Sequence, residues 1–128
     1  MKKIIFINPP VSPLSEDLYI PTHYLTLGAV AIEEDWSAEI IDFEYLFKLN
    51  QIEPNFEFMI SKLAKKSSQD RLIIGLTAYN HNYWIYLQLA THLKSLFPNA
   101  FILLGGPEAA FSDREAFKEN SPIDCVVR

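Results

Sequence analysis

A chain of 128 residues with 49 % apolar content, a formal charge of −5 and one cysteine, Cys125, is long enough for one folded domain and too short for two. The acidic balance, with no basic run interleaved with aromatics, argues against nucleic acid or an anionic membrane as the partner. A single thiol excludes a self-contained zinc knuckle, a CxxC redox pair or an iron–sulfur cluster, and no apolar stretch reaches the roughly 20 residues of a membrane span.

The elements then follow in chain order. MKKIIFINPP carries a basic pair and a short apolar run but no small-residue cleavage pattern, so Ile4–Asn8 reads as a first strand rather than a signal peptide. With no export signal and one cysteine, the expected compartment is the cytoplasm. A proline-rich loop, Pro9–Thr22, leads to a helix over Leu25–Glu34, and Ala38–Asp42 forms a second strand. A polar stretch through Asn50, Gln51 and Pro54 precedes a helix over Asn55–Lys66, where Phe56, Met59, Ile60 and Leu63 recur at helical spacing. Leu72–Thr77 (LIIGLT) is the most apolar strand and is therefore placed at the centre of the sheet, covered on both faces. Tyr83–Phe97 reads as a helix capped by Asn82 and stopped at Pro98, with Ile85, Leu89, Leu93 and Phe97 on its buried stripe. Its opposite stripe carries His92. Phe101–Leu104 is a fourth strand ending in Gly105-Gly106-Pro107, a weaker helix covers Ser112–Glu119, and Asp124–Val127 begins a fifth strand.

Strands alternating with helices imply right-handed crossovers and a parallel sheet. The expected fold is α/β, a flavodoxin-like (Rossmann-like) three-layer sandwich with five parallel strands in the order 2-1-3-4-5. The fifth strand has barely formed at Arg128, so the expectation is an excised part of a longer protein.

Ligands in open parallel sheets bind beyond the carboxyl ends of the strands, at the switch point between strands 1 and 3. That selects Asn8–Pro13, the surroundings of His23, Thr77–Asn82 and Gly105–Pro107. Each has a plainer reading. Gly105-Gly106 is either a turn needing positive φ or a place where a flat group approaches the backbone. Thr77-Ala78-Tyr79-Asn80 is either an ordinary β-to-α loop or a set of small polar groups for a ligand tail. His23 and His81 are lone loop imidazoles, which are more often solvated than metal-bound. Pro9 and Pro10 lack the N–H donors a phosphate loop needs, and no GxGxxG opens the first helix. No acidic pair marks a phosphoacceptor, and no Ser–His–Asp or Cys–His set converges. The residues assign no catalytic group and no metal ligand.

Taken together, KIIFINPP, AEIIDFEY, LIIGLTAYN, FILLGGPEAAF and IDCVVR resemble the N-terminal cobalamin (vitamin B12)-binding domain of cobalamin-dependent radical S-adenosylmethionine enzymes. The resemblance spans residues 1–128 and implies cobalamin as cofactor, held base-off without a histidine lower ligand, since Asn8-Pro9-Pro10-Val11-Ser12-Pro13 stands where many carriers place Asp-x-His-x-x-Gly. It implies a methyltransferase-like parent enzyme whose radical barrel domain is the partner. The barrel would carry a 4Fe-4S cluster and S-adenosylmethionine, neither bound by this chain. Carried over by position, Asn8, Pro9, Pro10 and Val11 would lie beside the corrin, while Thr77, Ala78, Tyr79 and Asn80 would meet the nucleotide tail. Gly105, Gly106 and Pro107 would let that tail pass between the sheet and the fourth helix. The alternative is a cofactor-free interaction module or small-molecule-binding module on the same fold.

Overall fold

Two of the most apolar runs in the chain pair directly: Ile4 lies opposite Ile73, and Ile7 opposite Leu76, in parallel register. The computed structural model describes residues 2–10, 20–51, 55–65, 72–79, 83–111 and 118–128. Its strands are β1 (Lys3–Asn8), β2 (Ser37–Asp42), β3 (Leu72–Thr77), β4 (Phe101–Gly105) and β5 (Cys125–Val126). They form one all-parallel sheet in the order β2-β1-β3-β4-β5, with β3 at its centre, so the chain has the expected flavodoxin-like α/β fold.

The helices are α1 (Thr22–Glu33), α2 (Phe43–Asn50), α3 (Phe56–Ala64), α4 (Tyr83–Leu96) and α5 (Pro107–Phe111). Because side chains alternate along a strand, β1 to β4 each feed two separate cores. Ile5, Ile7, Ile74, Leu76, Ile102 and Leu104 join the large core built with α2, α3, α4 and α5. Ile4 and Phe6, with half-buried Ile40, Ile73 and Leu103, face α1. The stripe expected on α4 holds: Leu89 and Leu93 are buried, whereas Gln88, Thr91 and His92 are exposed.

Three elements differ from the reading of the sequence. α1 starts at Thr22, one turn early, and ends where Asp35 takes a left-handed φ of 60°; Trp36 N–H donates to the Ala31 carbonyl at 2.9 Å. α2 was not anticipated. Asp42, read only as a strand end, caps it through a 3.1 Å hydrogen bond from Tyr45 N–H, and Phe43 and Phe47 bury one turn apart. A helix that was not expected, α5, follows β4 directly and begins at Pro107, a residue suited to the first helical position. Residues 112–117 and the expected cap Asn82 lie outside the described residues.

Candidate functional site

Among the described residues, the sheet is only partly covered on the α1 side. α1 lies across β1 and β2, and beyond it a groove of about 930 Å³ opens over β3 and β4, running from Trp36 and Glu34 to Thr77 and Pro107 at the carboxyl edge. Its inner wall is aromatic. Phe6 stacks on Tyr24 with ring centroids 5.2 Å apart, and His23 tilts against Tyr24 at 4.2 Å. The Phe6 ring lies over Gly75, where a Cβ would come within 2.6 Å of it, so glycine on β3 is what allows the wall to reach over the neighbouring strand. Gly75 and Leu103 form the floor, while Leu27, Val30 and Val127 form the open lips.

At the switch point between β1 and β3, two buried tyrosines meet across the sheet edge, Tyr24 from α1 and Tyr86 from α4. The Tyr24 hydroxyl donates to the Ile7 carbonyl at 2.8 Å. Burial raises the Tyr24 pKa above its ordinary value, partly offset by hydrogen bonds with Thr77 and Tyr86. Burial raises that of Tyr86 further, with Tyr24 adding to the effect. Both phenols are therefore neutral across the physiological range. Burial also lowers the pKa of His23, which favours the neutral imidazole at the groove wall.

The groove brings together five of the expected site residues: Thr77, Tyr79, Gly105, Gly106 and Pro107. Ala78 lies between them but is buried, its N–H donating to the Gly105 carbonyl at 2.8 Å and its carbonyl accepting from Glu108 N–H at 3.2 Å. Asn8 is engaged elsewhere: its Nδ2 donates to Asp42 Oδ1 at 2.9 Å, tying the end of β1 to the α2 cap. Pro9 is buried and Pro10 half-buried beside it. Val11, Asn80 and His81 lie outside the described residues.

The two glycines after β4 differ. Gly106 has φ +95°, and a Cβ there would lie 2.6 Å from the Ala78 carbonyl oxygen, so the turn itself demands glycine. A Cβ on Gly105 would meet nothing closer than Val127 at 3.9 Å, which makes its missing side chain part of the open space. That space lies on the α1 face, whereas α5 packs through Ala109 into the opposite core.

Sequence reasoning missed the wall and floor, namely Phe6, Tyr24, Gly75 and Leu103. The one available signal was that α1 is apolar nearly all round, beyond what a single buried stripe needs. Among the described residues no group of three or more His, Cys, Asp or Glu side chains is placed to hold a metal ion, and no helix is long and apolar enough to cross a membrane.

The fold and groove thus define a flavodoxin-like domain with an apolar groove that reaches the carboxyl edge of its sheet. No family model matches the chain. A stretch of 69 residues, 54 % of the chain, is 33 % identical to Uncharacterized methyltransferase PH0819 of Pyrococcus horikoshii. The matched stretch amounts to 15 % of that protein's length.

Proposed function

We propose that this chain is the cobalamin-binding module of a methyl-transferring enzyme, with the nucleotide tail of the cofactor in the groove and the corrin over the carboxyl edge. The observation that carries the reading is the open space beside Gly105, next to Thr77 and continuous with a long apolar groove. The residues fit such a group. A flat heterocycle suits the apolar slot, and the polar Thr77 and Tyr79 at its mouth suit the ribose and phosphate that follow. The likeness to a protein named a methyltransferase supports the same class of chemistry. When bound, the cofactor would supply a cobalt centre able to accept and release a methyl group. The chain's own part is to hold the tail and to leave the lower face of the corrin without a protein nitrogen, since Asn8–Pro13 contains no imidazole. The cofactor is then held base-off. A radical S-adenosylmethionine barrel elsewhere in the parent protein would contribute the substrate contacts.

A second reading, a docking module without cofactor, is favoured by the outward side of α1, where Leu25 and Ile32 are both more than half exposed. Titrating the purified chain with hydroxocobalamin separates the two. Saturable uptake with a base-off visible spectrum is expected, together with its loss in Gly105→Leu, a variant whose Cβ comes no closer than 3.9 Å to a neighbouring atom. Circular dichroism verifies that the variant is folded. A folded wild-type chain that takes up no corrinoid overturns the cofactor reading. A nitrogen-ligated spectrum that disappears in His23→Ala overturns the base-off part alone.

A further inference from the structure

The groove's polar side chains stand at its two ends. His23, Thr77, Tyr79 and Arg128 are at the carboxyl edge, and Glu34 and Trp36 are where α1 finishes. Between them the walls and floor are Phe6, Leu27, Val30, Ala31, Gly75 and Leu103, none of which offers a side-chain hydrogen-bonding group. The strands beneath offer little more, because β3 is paired on both sides, with β1 and with β4 through Gly75 and Leu103. The Tyr24 hydroxyl, on the aromatic wall, is directed to the Ile7 carbonyl. Among the described residues, a polar atom carried into the middle of this groove meets no side-chain hydrogen-bonding partner.

Resting on the cobalamin reading, we infer that the groove selects the cofactor by its lower base, accepting hydrocarbon-like bases such as dimethylbenzimidazole or a phenol and rejecting purines. Base-off dimethylbenzimidazole brings one ring nitrogen into the slot and a phenolic base brings none. Adenine brings an exocyclic amine and additional ring nitrogens, each unpaired there. Unsatisfied burial of that kind weakens binding by roughly ten- to hundredfold. The specificity residues are Gly75 and Leu103 beneath the base and the Phe6 ring beside it.

The test is a series of equilibrium titrations, followed by tryptophan quenching and by the corrin spectrum. The ligands are cobalamin, a cresolyl cobamide, an adeninyl cobamide and cobinamide, which lacks the base. The expected order is the cresolyl form equal to or tighter than cobalamin, with the adeninyl form weaker by at least about tenfold. Leu103→Asn, which sets an amide in the floor, narrows that ratio. Equal affinity for adeninyl cobamide and cobalamin, weak binding of the cresolyl form, or a ratio unmoved by Leu103→Asn each overturns the selection while leaving cobalamin binding intact. Cobinamide binding as tightly as cobalamin removes the tail from the groove and overturns it too. A folded chain that binds none of the four overturns the cobalamin reading and this inference with it.

Discussion

Tyr24 serves both the fold and the groove. Its ring stacks on Phe6 as part of the aromatic wall, and its hydroxyl closes the switch point by donating to the Ile7 carbonyl. Tyr24→Phe keeps the ring and removes the hydroxyl, and the expected loss at neutral pH is about 1 kcal/mol of unfolding free energy. The sign of the pH effect follows from the shift. Folding raises the pKa above the ordinary 10.0, because the folded protein refuses the phenolate. The stability this contributes is fully present below about pH 10 and is lost as the pH rises through the folded value. Phenylalanine has no proton to lose. Urea melts should therefore show the gap between wild type and Tyr24→Phe narrowing above pH 10, and a gap that stays constant into the alkaline range means that the hydroxyl is not held as described.

At the scale of elements, β5 raises the question of how a two-residue edge strand is held. The answer is Asp124, just before it. Its Oδ2 accepts from Ile102 N–H at 2.7 Å and from Lys94 Nζ at 2.7 Å, while Lys94 also donates to the Ala100 carbonyl at 2.6 Å. The Asp124 N–H completes the link by donating to the Ile102 carbonyl at 3.0 Å. One carboxylate thus joins β4, α4 and β5. Both charged side chains keep about a quarter to a third of their surface in water, which discounts the ion pair. Asp124→Ala is expected to cost about 1–2 kcal/mol in thermal unfolding and to speed amide exchange at Ile102. An unchanged Ile102 exchange rate refutes the clamp. Asp124 also marks how far the sequence can be read. Strand number, order and the central place of LIIGLT were legible, because continuous apolar runs bounded by turn residues have few other uses. α2 was not, since eight residues with two core phenylalanines resemble a loop unless Asp42 is taken as a cap. The β5 clamp was equally hidden, because a hydrogen bond to an amide 22 residues away leaves no local pattern.

For the whole molecule, the two faces of the sheet are covered differently. Among the described residues, one face is buried under four helices, and the other is half covered by α1, with the groove in the remainder. The site was illegible for a physical reason: FILLG is apolar at nearly every position, because an apolar groove asks for the same residues as a core. Register alone tells them apart, and Leu103 and Leu104, adjacent on β4, make the comparison direct. Leu104 is 0 % exposed in the large core, whereas Leu103 is half-buried and lines the groove. Leu104→Ala leaves a cavity among close-packed side chains and is expected to cost about 2–5 kcal/mol. Leu103→Ala enlarges a space that is already open, and its cost should stay below about 1.5 kcal/mol. Corrinoid affinity is expected to reverse the ranking, falling in Leu103→Ala and holding in Leu104→Ala at temperatures where both variants remain folded. Denaturant melts and cobalamin titrations of the same two preparations read both quantities. Equal losses of stability mean that the α1 face is covered in solution, and equal affinities mean that the ligand does not reach the floor of the groove.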